Sequence, residues 1–219
     1  MFRIPIVVAL SIVSASMVST ALPSDNVDVA ATPKNRVNHM RELATFAVDE
    51  LDETATADAK KNTVLFLMRV AWHEGAQLTA RRQNGGGPGR SFFQFEPAKA
   101  KDGVDYAVTK KVIGDLAAVG GSTSKRVEDS AKDLVLGSPW PNGGLIEKLL
   151  GGEDEAVDLF GIYLARISLK RIPSSIPTDL DGQAEYWAKH WKVKFDSDAD
   201  RTAKIKQFKD NATTLDTHL

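Results

Sequence analysis

Apolar residues recur along this chain at three- and four-residue spacing, while strict alternation is scarce, and that pattern predicts helices rather than strands. Val37, Met40, Leu43, Ala44, Ala47 and Leu51 line one face of an amphipathic helix, and residues 54–58 reset the chain with capping side chains. The next helix, about residues 59–74, carries Val64-Leu65-Phe66-Leu67-Met68 and Val70-Ala71-Trp72. A helix that is apolar on nearly every side belongs at the centre of a domain. Asn84-Gly85-Gly86-Gly87-Pro88-Gly89 cannot be helix or regular strand, and residues 91–95 form a short strand or turn stopped by Pro97. Helical patterning returns over about 105–118, 124–136, 153–170, 183–192 and 199–211, punctuated by Gly120-Gly121 and by the glycine- and proline-bearing stretches 139–144 and 173–177. The expectation is a mostly α domain around a buried central helix, with at most a small β-hairpin beside the glycine loop.

The two ends read differently. Arg3 is followed by an uncharged run over 4–24, apolar over 4–18, and Ser19-Thr20-Ala21 supplies small residues acceptable to a signal peptidase. The run is too short and too serine-rich for a comfortable membrane span. Residues 1–21 are therefore expected to be a signal peptide or releasable anchor, 22–35 a linker, 36–212 one domain and 213–219 a flexible tail. The chain has 219 residues, 42% hydrophobic and 26% charged, the balance of a globular protein large enough for a real core. A formal net charge of -1 gives no reason to expect a nucleic-acid or anionic-membrane partner. With no cysteine and no two histidines at ligand spacing, neither a thiolate nor an imidazole metal site is expected, and nothing points to a cofactor.

One acidic residue changes this picture. At 100° per residue, Leu67, Val70 and Ala71 fall within about 60° of Glu74, while Arg69 lies far round the helix. A carboxyl group held against an apolar face is desolvated, which disfavours its charge and suits it to general acid work near neutral pH. The alternative is a partly solvated helix-end glutamate paired with Arg81 or Arg82. Gln94 sits between rings in Phe92-Phe93-Gln94-Phe95, where its amide either meets a sugar or packs; the two readings stand equal. His73 lies 100° away from Glu74, which favours a packed or exposed side chain over proton sharing. The Gly85 to Gly89 loop lacks the Lys-Ser/Thr ending of a phosphate cradle, and the Asn211-Ala212-Thr213 sequon is too short a pattern to weigh.

Taken together, His73-Glu74-Gly75, Ala80-Arg81-Arg82-Gln83, Gly86-Gly87-Pro88 and Arg90-Ser91-Phe92-Phe93-Gln94-Phe95-Glu96 resemble a phage and prophage group of lysozyme-like proteins related to the soluble lytic transglycosylases and goose-type lysozymes. In that group a Gln-Glu-Ser triplet ends the helix, Arg-Arg-Gln and Gly-Gly-Pro follow, and Arg-Gly-Phe-Trp-Gln-Phe-Glu closes the motif. Leu164-Ala165-Arg166, Ile176-Pro177, Tyr186-Trp187 and Trp191 are similar to its later helix, Leu-Pro stretch and aromatic tail.

The resemblance implies an α+β lysozyme-like fold acting on peptidoglycan glycan strands, with Glu74 as catalytic acid/base. It further implies that Gln94 and Phe93 line the glycan cleft, that Arg82, Gln83 and the Gly-Gly-Pro loop shape one wall, and that Tyr163 is the tyrosine aimed at the acid. A monomer, exported or virion-associated, with no cofactor and no stable membrane span after processing, is the expected setting. His73, Gly75, Ser91 and Phe93 depart from the group's Gln, Ser, Gly and Trp. These departures bear on rate and product, and they motivate the alternative of a non-catalytic glycan-binding or virion structural protein. Of the acidic residues close to the motif, Glu96, Asp102 and Asp105, none sits in a recognisable pattern, which favours the anhydro-forming transglycosylase route over hydrolysis.

Overall fold

A computed structural model describes residues 27–83, 85, 89–95, 158–192 and 194–219, apart from the side chain of Phe160. The predicted signal segment, the helices expected over 105–118 and 124–136, the Gly86-Gly87-Pro88 wall, and Glu96, Asp102 and Asp105 lie outside these residues.

The described part is mostly helical. Helix α1 (Pro33–Leu51) leads through a short turn to α2 (Ala57–Glu74); later come α3 (Asp158–Lys170), α4 (Leu180–Trp187), a π-helical turn (Ala188–Lys192) and α5 (Asp198–Asp216). Among the described residues there is no strand, only two isolated antiparallel bridges, Arg82 with Arg90 and Arg90 with Phe95.

Local chemistry fixes where these helices begin. The Thr32 hydroxyl accepts the Asn35 N–H with Pro33 in the first turn, and Thr56 accepts the Ala59 N–H at 3.3 Å. Asp179 and Ser197 do the same for α4 and α5, accepting from Gly182 at 2.7 Å and Asp200 at 3.1 Å. Helix α1 thus starts four residues before the first apolar position of its periodic face.

Helix α2 is the central one. Phe66, Leu67, Val70, Ala71 and Trp72 are all buried, with α1, α3 and α5 packed around them. Polar ties clamp the periphery: Arg166 on α3 grips Asp52 at the end of α1 through two hydrogen bonds of 2.7 and 2.9 Å. Arg69 on α2 reaches Gln183 of α4 at 2.9 Å and Asp216 of α5 at 2.7 Å.

Residues 27–32 and 213–219 are tied to the core, against the expected linker and flexible tail. In place of a linker running to residue 35, Val27 is buried in the core, its N–H donating to Asp158 at 2.6 Å and its carbonyl accepting from Arg81. Instead of a tail from residue 213, α5 continues to Asp216 with Leu215 fully buried, and Arg41 donates to the Leu219 carbonyl at 3.1 Å. No described helix is long and apolar enough to cross a membrane.

Candidate active site

Glu74 is the last residue of α2, and the chain turns sharply after it. Gly75 caps the helix with φ of -89°, so its role is spatial rather than conformational: a Cβ there would lie 2.7 Å from the Ala71 carbonyl oxygen and 2.9 Å from Phe92. Where the resembling group has serine, the Phe92 ring leaves this chain no room for one. Ala76, Gln77 and Leu78 then adopt φ of 48°, 60° and 59°, a left-handed turn built without glycine. It is held by the buried Leu78, by Gln77 N–H donating to Trp72 at 2.8 Å, and by Arg36 of α1 donating to the Gln77 carbonyl.

Glu74 is half-buried, and among the described residues its carboxyl group receives one hydrogen bond, from the Trp187 indole N–H to Oε1 at 3.0 Å. Burial raises its pKa above the ordinary carboxylate value, while the indole hydrogen bond and the charges of Lys192 and Lys204 pull the other way and lose. The arginine pairing considered from sequence does not form through Arg81, which is committed to Asp158 at 3.0 and 2.8 Å and stacks over Phe92. Asp158 is fully buried and its own pKa is raised by burial, but the Arg81 bonds place it in a structural ion pair.

His73 packs away from the acid. Its ring meets the edge of Trp187 at 4.8 Å and lies 5.3 Å from Phe208, while Nδ1 accepts from the Asn211 side-chain amide at 2.9 Å. Burial, aided by Lys204 and Lys192, lowers its pKa to about 4, so the imidazole is neutral. Asn211, the sequon asparagine, is thereby occupied in a half-buried contact within α5.

The remaining predicted residues divide. Gln94 points its Nε2 into the chain, donating to the Ala80 and Ser91 carbonyls at 3.1 and 3.0 Å, and so braces the loop after the acid. Its Oε1 is buried and has no hydrogen-bond partner among the described residues, 2.7 Å from where a Cβ on Gly89 would stand. Phe93 is 1% exposed and packs against Phe95 and Trp191, which makes it a core ring with no face for a sugar. Ser91 holds φ of 59°, the conformation that makes glycine natural at that position, and its Cβ is accommodated 3.0 Å from the Cβ position of Gly161 on α3. Gln83 clasps Gly89 through its backbone and side chain at 3.2 and 3.3 Å, and Arg82 pairs with Arg90 across the bridge. Tyr163 on α3 is buried within the core.

Sequence reading missed the residues that act from a distance in the chain on the acid, Lys192 and Lys204, and on its neighbours Trp187 and His73, Phe208 and Asn211. Trp187 was visible only as one of several aromatics near the C-terminus, with nothing in its spacing to say that it meets Glu74.

Two cavities formed by described residues lie elsewhere. One, of about 630 Å3, is bounded by Ser175, Tyr186, His190 and Arg201, and the other, of about 400 Å3, by Asn62, Arg166 and Ile176. Glu74 lines neither. Among the described residues no group of three or more His, Asp or Glu side chains is arranged to hold a metal ion. Comparisons with protein-family models, with curated proteins and with solved structures find no match to this chain.

Proposed function

We propose that this chain cleaves peptidoglycan glycan strands at the MurNAc-GlcNAc β-1,4 bond, with Glu74 as general acid and then general base. The observation that carries the reading is a single carboxyl group at the end of the central helix, whose proton affinity burial raises and which, among the described residues, accepts one hydrogen bond.

That arrangement suits glycosidic cleavage. With Oε1 engaged by Trp187, the second oxygen of a neutral Glu74 is left to give its proton to the leaving sugar oxygen as the C1–O bond breaks. The resulting carboxylate is stabilised by the indole N–H and by Lys192 and Lys204. It then takes the proton of the muramic 6-hydroxyl as that oxygen attacks C1, giving an anhydro product and restoring the acid.

The lysozyme-like assignment rests on the motif resemblance, with left-handed Ser91 at a glycine position of that motif as a physical correlate. Export ahead of residue 22 belongs to the same proposal. Glu74→Gln keeps an acceptor for Trp187 and removes the proton, so cell-wall lysis is expected to fall by orders of magnitude with the fold intact. Undiminished lysis would sink the assignment, and an unaltered chain that binds glycan without lysing cell walls would be a binding or virion component instead. Mass analysis of the digest reads the route: reducing muramic ends without anhydro species would replace transglycosylation by hydrolysis.

A further inference from the structure

Glu74 sits on α2, yet the group that touches its carboxyl comes from α4, more than a hundred residues later. Trp187 is itself 1% exposed and has little freedom. Its indole stacks on Phe208 of α5 with centroids 4.9 Å apart and planes 21° from parallel, while His73 stands edge-on at 4.8 Å. His73 in turn is held by Asn211, one turn along α5 from Phe208. Three elements therefore hold one N–H on one carboxylate oxygen.

We propose that Trp187 is the positioning residue of the acid: its indole N–H, caged by Phe208 and by the Asn211-anchored His73, fixes the orientation of the Glu74 carboxyl so that the other oxygen faces the substrate. This deepens the glycan-cleaving reading and rests on it for its consequence in catalysis. Packing accounts for a buried ring at this place, and the N–H aimed at Oε1 is what an aromatic ring without a donor would not supply.

The indole N–H also favours the charged form of Glu74, acting with Lys192 from the π-helical turn and Lys204 from α5 against burial. The neighbouring His73, neutral above about pH 4, contributes no charge of its own at neutral pH. Replacing the indole by a phenyl ring removes the N–H and keeps an aromatic side chain at this place, which should leave burial with one opponent fewer. In Trp187→Phe the Glu74 midpoint is then expected to move upward, and the alkaline limb of the lysis profile with it. With the carboxyl also free to rotate, kcat should fall about tenfold with KM little changed, the loss typical of one hydrogen bond to a charged group.

The test joins two measurements on the full chain. The carboxyl carbon resonance of Glu74 and the indole 15N resonance of Trp187, each assigned by its own substitution, are followed through a pH titration by NMR. A shared inflection in the wild type, lost from the indole in Glu74→Gln, and an upward-shifted Glu74 midpoint in Trp187→Phe support the proposal. An indole signal that ignores the Glu74 titration overturns it, and this arm needs only wild type and Glu74→Gln should Trp187→Phe fail to fold. An unmoved Glu74 midpoint in a folded Trp187→Phe overturns it equally. Absence of lysis by the wild type would instead defeat the enzymatic reading, which the titration does not depend on.

Discussion

Histidine 73 and glutamate 74 are adjacent, and burial drives their proton affinities in opposite directions relative to ordinary side chains. For His73 the folded value of about 4 lies below the unfolded 6.5, so between those values the unfolded chain binds more protons. The stability that neutral His73 contributes is thus complete above pH 6.5 and is lost as pH falls toward 4. At ~1.4 kcal/mol per pKa unit the loss has a ceiling of order 3 kcal/mol. Urea midpoints measured from pH 7 to pH 4 should drop steeply in the wild type and less in His73→Gln; parallel slopes would refute the assignment. Glu74 works in the reverse sense, because the folded state holds its proton more tightly and loses stability as pH rises above the unfolded carboxylate value. Glu74→Gln should accordingly raise Tm more at pH 8 than at pH 4, the stability gain that accompanies loss of a strained functional group. The position of Glu74 on an apolar helix face was legible from three-and-four spacing alone. Its donor was not, since nothing local distinguishes Trp187 from Trp191, and only tertiary packing sends one indole to the acid and the other to the Phe93 and Phe95 rings.

Elements one and two were read nearly whole because their caps and apolar faces lie in contiguous sequence: Thr56 and Glu74 bound α2 as their chemistry dictates. Helix α5 was read short, because its outer face is polar throughout and its last turns are held by distant partners rather than by a repeating stripe. The stretch before α1 illustrates the same limit. Composition made it a linker, but Asp158 and Arg81, separated by 77 positions, build an ionic socket into which the Val27 backbone fits. That socket is expected to be energetically important, because Asp158 is fully buried and the Arg81 guanidinium lies against both of its oxygens. Arg81→Met keeps the stem over Phe92 and strips the charge, leaving a buried carboxyl without that guanidinium but still accepting from the Val27 N–H. A loss of about 3–5 kcal/mol is expected in denaturant unfolding. The residual stability should improve toward acid pH, where Asp158 is neutral. A loss below ~1 kcal/mol would mean that the backbone of residue 27, not Arg81, is the main partner.

At the scale of the molecule, the acid is framed by segments from both ends of the chain: α1 steadies the turn after Glu74 through Arg36, and α5 backs Trp187 and His73 through Phe208 and Asn211. Structure and site therefore share the same contacts, and the last residues matter to both. Ending the chain at residue 212 would remove fully buried Leu215, the His218 ring beside Trp72, and Asp216, leaving buried Arg69 with Gln183 in place of a countercharge. Losing one partner of a buried charge, together with a buried leucine, is expected to cost 3 kcal/mol or more, equivalent to a fall in Tm of roughly 10 °C for a chain of this size. The damage should not stop at stability. With α5 frayed back toward Asn211, the cage around Trp187 loosens, so lysis should decline at temperatures where far-ultraviolet circular dichroism still reports a helical protein. If the shortened chain instead keeps wild-type Tm and activity, α5 beyond residue 212 is dispensable and the acid is held by α2 and α4 alone.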